Sequence, residues 1–296
     1  MHGTFNDIYM RIYKRLSVKF PDGAPDMARE IVCHAFNKPR ADFHKIRQLY
    51  TIETKDDEIE NYVELCMSGR PLAYIFGEWD FYGLNLEITP DVLIPRQDTE
   101  VLAESAINRL KSMTTSPKVL DLCTGSGCLG LAIAKNIDHA SVTLLDKSRE
   151  ALEVAGHNVS RLRLQDRVSV VRGDLLRGPE GDGLSDFNMI ISNPPYIPSN
   201  DIKGLDESVR SFEPVLALDG GSDGLKFYRA IVDKWTGVLR SGGQLMVECG
   251  YDQAESVVGI LLDAGYTDVF TTKDLSGIER VVSGRRPTRL RAREDS

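Results

Sequence analysis

Asp121-Leu122-Cys123-Thr124-Gly125-Ser126-Gly127-Cys128-Leu129-Gly130 is the stretch on which the fold turns. An apolar run over 118–123 leads into it, and a helical pattern over 128–136 leads out. Gly125, Gly127 and Gly130 spell GxGxxG across this turn, and Asp146 closes the next apolar run about 20 residues later. Glycines let a ligand approach the backbone, the helix start favours an anionic group, and an acid at the second strand end suits a ribose diol. By spacing alone this is a dinucleotide site. Two details favour another adenosine cofactor. Asp121 sets a carboxylate where a pyrophosphate would lie, whereas an amino-acid tail could meet Asp121 with its ammonium and the loop N–H groups with its carboxylate. Asp174, at a third strand end before Leu175, offers an acceptor to an adenine amine. Taken singly, these acids have plainer uses, a helix cap for Asp146 and a surface position for Asp174. Together they point to S-adenosyl-L-methionine rather than NAD. Asp121, Cys123, Thr124, Gly125, Ser126, Gly127, Asp146, Asp174 and Leu175 are the residues expected to hold it. Cys123 and Cys128 read as small packing residues, not nucleophiles.

Working outward, apolar runs and helical segments alternate from about residue 97. Strands are expected over 118–123, 141–146, 168–171, 187–193, 244–249, 268–272 and 280–283. Helices are expected over 98–111, 128–136, 149–164, 225–240 and 253–264. This rhythm predicts an α/β fold with a seven-stranded, mostly parallel sheet covered on both faces. The last two strands have only a short connection, containing Gly277, and should form an antiparallel pair at one edge. Residues 1–75 have helical spacing (Ile8, Ile12, Leu16; Ile59, Val63, Cys66) and predict a small helical domain. Residues 76–96 are aromatic, broken by glycine and then alternating, which predicts a β-hairpin linker. The α/β domain should run over 97–286, followed by a basic disordered tail over 287–296.

The fourth strand ends in Asn193-Pro194-Pro195-Tyr196. Proline cannot continue a central strand, because it has no N–H for the ladder, and it forces the residue before it into an extended shape. The Asn193 side chain and the neighbouring carbonyls therefore become stiff acceptors beside an aromatic ring. That set suits a planar group carrying an NH2, and ligands of open α/β sheets bind at strand ends. Asn193, Pro194 and Tyr196 are the catalytic candidates, and Asn193 through Tyr196, Pro195 included, the substrate-binding ones. Asn193 also falls beside the cofactor.

At 296 residues, with 42% hydrophobic and 27% charged residues, the chain has the composition of a soluble protein large enough for two domains. No run approaches the ~20 apolar residues of a membrane span. The first residues lack the basic-then-apolar order of a secretory signal. Five cysteines without a CxxC pair or a His cluster read as free thiols in a reducing cytosol, so no metal is expected. A net charge of −8 argues against a broad nucleic-acid surface.

Taken together, these motifs resemble the protein glutamine N5-methyltransferases, and closely the class that acts on peptide chain release factors. The resemblance runs from Pro71 onward. It includes Pro71–Ile75 with Gly77-Glu78, Leu93-Ile94-Pro95-Arg96-Gln97-Asp98-Thr99-Glu100, the Asp121–Gly127 loop and Asn193–Tyr196. It continues through Val209–Pro214, Leu218–Leu225 and the late segment Leu275–Val282. One departure is Cys123, where family members often carry glycine. The resemblance implies the class I methyltransferase (Rossmann-like) fold, S-adenosyl-L-methionine as cofactor, and N5 methylation of the glutamine in a Gly-Gly-Gln motif. It also implies a release factor as partner, contacted in part by the helical domain; a cytoplasmic protein, a monomer, with no nucleic-acid or membrane partner, is expected. Two alternatives stay open at this level. A sister family methylates a ribosomal-protein glutamine, and nucleic-acid amine methyltransferases share the NPPY motif but need base extrusion and a basic surface.

Overall fold

The computed structural model describes residues 3–51, 54–180 and 183–287. The basic tail expected over 287–296 lies, apart from Pro287, outside the described residues. The chain forms two compact units, Met1–Gly77 with Glu207–Phe212, and Glu78–Asp206 with Glu213–Ser296.

The first unit contains β1 (Gly3–Thr4), α1 (Phe5–Leu16), α2 (Ala24–Ala35), α3 (Phe43–Ile46), β2 (Tyr50–Thr51), α4 (Asp56–Met67) and α5 (Leu72–Phe76). Helix α1 starts with a reciprocal cap. The Thr4 hydroxyl accepts from the Asp7 N–H at 3.1 Å, and the Asp7 carboxylate accepts from the Thr4 N–H at 2.8 Å. The helically spaced Ile8, Ile12, Leu16, Ile59 and Val63 are all buried. They form the apolar faces that hold the unit together.

The second unit begins with the hairpin β3 (Glu78–Phe81) and β4 (Leu84–Glu87). The next elements are α6 (Gln97–Lys111), β5 (Lys118–Leu122), α7 (Cys128–Asn136), β6 (Ser141–Asp146), α8 (Arg149–Arg161), β7 (Val168–Arg172) and β8 (Phe187–Ser192). Helix α9 (Glu207–Phe212) groups with the first unit. The second unit is completed by α10 (Lys226–Ala230), β9 (Leu239–Glu248), α11 (Ala254–Asp263), β10 (Thr267–Lys273) and β11 (Glu279–Arg285). The sheet has seven strands in the order β10-β11-β9-β8-β5-β6-β7. The five strands from β9 to β7 are mutually parallel, while β11 runs antiparallel to both β9 and β10. The expected α/β sheet, antiparallel edge pair included, is the sheet observed.

One element differs from expectation. The helix expected over 225–240 ends at Ala230, continues as a π-turn over Ile231–Trp235 and a 3-10 turn over Thr236–Val238, and gives way to β9 at Leu239. The wider turn accompanies the full burial of Trp235, whose indole N–H donates to the Leu175 carbonyl at 2.9 Å. Helical periodicity in the sequence does not distinguish an α-turn from this wider one. The hairpin, expected as a linker, clusters with the second unit. Asn158 of α8 ties it there. Its side chain accepts from the Glu87 N–H at 2.7 Å and donates to the Glu87 and Ser126 carbonyls, each at 3.0 Å.

Candidate active site

At the carboxyl ends of β5, β6 and β8 lies an open cavity of about 1090 Å³, counted to its mouth. Parallel strands deliver their last residues to one edge, and the order of β8-β5-β6 places the chain reversal there.

Of the residues expected from the sequence, Cys123, Thr124, Gly125 and Ser126 of the β5–α7 loop line the cavity, as do Asp146, Asp174 and Leu175. From the NPPY segment, Asn193 and Pro195 line it. Asp121, Gly127, Pro194 and Tyr196 do not. Asp121 is fully buried beneath the loop, where one carboxylate oxygen accepts from the Thr124 hydroxyl at 2.6 Å and the Gly130 N–H at 3.0 Å. It therefore braces the loop. Its second oxygen has no hydrogen-bond partner, and burial raises the carboxyl to about 7 despite the Thr124 and Gly130 bonds. Gly130 packs against the strands, since a Cβ there would come within 2.3 Å of Leu144 Cδ2.

Asp146 holds the loop from the cavity side. Its carboxylate accepts from the Gly125 N–H at 2.9 Å and the Ser148 N–H at 3.0 Å. Burial nonetheless raises its pKa, partly offset by these N–H groups. Ser148 caps α8 with its own hydroxyl, which accepts from the Ala151 N–H at 3.1 Å. Asp146 is thereby free of the capping role. Asp174 pairs with Lys147 at 3.0 Å and accepts from the Leu176 N–H at 2.9 Å. Burial pushes its carboxyl up, but Lys147 and Leu176 outweigh it, so the group lies below its ordinary value.

Asn193 lines the same cavity. Its side-chain amide donates to the Thr99 hydroxyl at 3.1 Å, which leaves the amide oxygen for another donor. The chain beyond it is clamped. The Tyr196 carbonyl accepts from the Gln253 amide at 2.8 Å, and a Cβ at Gly224 (φ +73°) would fall 2.3 Å from that same carbonyl oxygen. Only glycine fits there. The Tyr196 ring is half-buried, with its hydroxyl 3.5 Å from Glu248. Sequence reading missed Arg96 and Thr99, both on the cavity wall. They belong to the segment Leu93–Glu100, which the sequence offered only as part of the family resemblance. Arg96 pairs with the buried Glu213, which also accepts from the Ile94 N–H at 3.4 Å.

The residues present fit adenosylmethionine. Three carboxylates around the loop, one occupying the Gly125 N–H, would repel a pyrophosphate. Asp146 suits a ribose diol, Asp174 an exocyclic amine, and Leu145, Leu175 and Phe227 give apolar walls for a flat ring. A Cβ on Gly125 would meet nothing within 4 Å, so that part of the loop faces open space.

Comparison with known proteins agrees with this geometry. The Methyltransferase small domain family matches residues 98–207. The release factor glutamine methyltransferase of Geobacter sulfurreducens is 47% identical over 216 residues, 73% of either chain. The chain belongs to the release factor glutamine methyltransferase family. Another member, from Clostridium acetobutylicum, is 38% identical over 243 residues, covering 79% of this chain and 85% of its own. Among solved structures, the hMettl16 catalytic domain in complex with MAT2A 3'UTR hairpin 6 is 16% identical with a TM-score of 0.56, covering 85% of this chain and 90% of that one. That likeness is one of fold alone. Family membership makes the chain a methyltransferase of the class I fold.

Proposed function

We propose that this enzyme methylates the side-chain nitrogen of the glutamine in the Gly-Gly-Gln motif of peptide chain release factors, with S-adenosyl-L-methionine as donor. The observation that carries it is Asn193. Its amide nitrogen is bonded to Thr99 and its oxygen is left for a donor, at the wall of a cavity fitted to the cofactor. The cofactor, when bound, supplies an electrophilic methyl on a sulfonium. The chain's part is mainly positioning, because an amide nitrogen is a poor nucleophile. The Asn193 oxygen and the Pro194 carbonyl accept the two hydrogens of the glutamine NH2 and stabilise positive charge growing on nitrogen. The exposed part of the Tyr196 ring stacks on the amide plane. The glutamine nitrogen gains the methyl and then releases one proton to solvent. No strong base is needed for that last step.

Asp146, Asp174 and Leu175 hold the adenosine end of the cofactor, and the Cys123–Gly127 loop, braced by Asp121, holds the amino-acid end. The helical unit, 1–75 by sequence, serves to recognise the protein substrate. Cytoplasmic localisation and a monomeric state accompany this function. Among the described residues no helix is long and apolar enough to cross a membrane.

Labelled methyl transfer to a purified release factor, to a ribosomal-protein substrate of the sister family and to DNA, run in parallel, tests the proposal. Label in the release factor, absent when its glutamine is replaced by alanine, is the expected result. Label appearing instead in the ribosomal protein or the DNA overturns the assignment.

A further inference from the structure

Arg280 lies in the late segment Leu275–Val282, to which the reaction described above gives no role. It is the second residue of β11, which runs antiparallel to β9 with Val281 opposite Glu248. That register carries the β10–β11 turn to the carboxyl end of β9, where the Arg280 carbonyl accepts from the Cys249 N–H at 2.8 Å. Strand β8, which delivers Asn193, ends at the same edge, because Ser192 pairs with Val247. The Arg280 side chain is 16% exposed and forked between two acids. Its Nε donates to Asp274 Oδ2 at 3.0 Å, and its Nη2 lies 3.0 Å from Asp98 Oδ2. Asp274 is itself fixed within the turn, since its Oδ1 accepts from the Ser276 N–H at 2.8 Å and the Ile278 N–H at 2.9 Å. Asp98 belongs to the first turn of α6, one residue before Thr99.

That first turn is gripped twice. Arg96, at the N-cap of α6, pairs with Glu213, whose side chain is 1% exposed. Asp98 pairs with Arg280. The Thr99 N–H donates to the Arg96 carbonyl at 3.1 Å, which joins these residues into one turn. The Thr99 hydroxyl in turn accepts from the Asn193 amide at 3.1 Å. Two ion pairs, reaching in from positions 213 and 280, thus hold the backbone that presents the hydroxyl bonded to Asn193.

The Asp98 side chain is 45% exposed, so its pair adds little to overall stability. Its consequence is geometric. A displacement of about 1 Å at a reacting group can cost ~10²-fold in rate. Arginine suits the task, because its planar fork meets two carboxylates at once, whereas the ammonium of a lysine is a point charge. Arg280 and Asp98 do not line the cavity, so neither acts on substrate or cofactor directly. We propose that Arg280 is a positioning residue for methyl transfer. By bridging Asp274 and Asp98 it sets the first turn of α6, and through Thr99 the Asn193 side chain, against the substrate amide. The proposal rests on the glutamine-methylation reading above and deepens it.

The test measures kcat and KM for a purified release factor, and adenosylhomocysteine affinity by calorimetry. The variants are Arg280→Gln, Arg280→Lys and Asp98→Asn, each made alone and together with Asn193→Ala. Alone, Arg280→Gln and Asp98→Asn should each lower kcat by about 10-fold, with KM and adenosylhomocysteine affinity unchanged. Arg280→Lys, able to meet one acid at a time, should keep only part of the rate. Beside Asn193→Ala, whose residual transfer is read in single turnovers, the same changes should cost little more, because the side chain they orient is gone. Wild-type kcat in Arg280→Gln or Asp98→Asn would overturn the proposal. So would an equal fold-loss with and without Asn193, which is what general loosening of the structure produces. If Arg280→Gln does not fold, Asp98→Asn, which leaves the Arg280–Asp274 pair in place, decides. A wild-type protein that transfers no methyl to the release factor would instead sink the proposed function.

Discussion

At the scale of single residues, the site is a set of acceptors whose direction matters more than their number. Asn193→Ala removes one preorganised acceptor and should cost at least ~10²-fold in kcat. Cofactor affinity should barely change, because the Asp146 and Asp174 end is untouched. Single-turnover transfer and calorimetry separate the two, and normal turnover would remove the proposed role. Cys123 presents the opposite case, a residue that fits its place poorly. It adopts φ +58°, a left-handed conformation that costs a side-chain-bearing residue about 1–2 kcal/mol. Glycine adopts it freely but loses more entropy on folding, about 0.5–1 kcal/mol. Cys123→Gly should therefore raise stability by up to about 1 kcal/mol, read from the urea midpoint. A lowered midpoint would mean that the thiol's packing outweighs the strain. The family resemblance implies a glycine at this position. The left-handed φ supplies the reason.

At the scale of elements, the glycine-rich loop between β5 and α7 is held from three sides. Asp121 braces it from below, Asp146 from the cavity side, and Asn158 of α8 from the hairpin side. Asn158 is fully buried and makes three hydrogen bonds to backbone groups. Asn158→Ala would leave those groups unpaired at about 1–3 kcal/mol, and should also weaken adenosylhomocysteine binding by freeing the Ser126 carbonyl. Thermal melting together with calorimetry checks both, and unchanged values for both would show that the hairpin does not support the loop. The strands of this unit were legible because buried parallel strands read as continuous apolar runs. The 225–240 segment was not, because the burial of Trp235 and the bond to the Leu175 carbonyl are tertiary facts.

At the scale of the molecule, two fully buried acids set the pH dependence of stability. Asp121 and Glu248 are each raised by burial to about 7. In the unfolded chain they titrate near ~4. Their contribution is thus complete below that unfolded value and is lost as pH rises through about 7. Asp223, lowered to about 2 by Arg229, acts with the opposite sign but only below the ordinary carboxylate range. The melting temperature should therefore decline from pH 5 to pH 8, and Glu248→Gln should flatten that decline. A melting temperature that climbs toward pH 8 would contradict the burial of these acids as charged-form penalties.

By itself the sequence determined the strand–helix rhythm, the glycine-rich loop, the three acids at successive strand ends and the NPPY terminus, because each is written in local spacing along the chain. Only the tertiary structure decided that Asp121 braces the loop from beneath while Asp146 faces the cavity. It alone brought Thr99 of α6 to Asn193 and Glu248 of β9 to the Tyr196 hydroxyl. Burial and side-chain direction depend on which elements pack together, and residues 94 or 52 positions apart in sequence carry no mutual spacing signal.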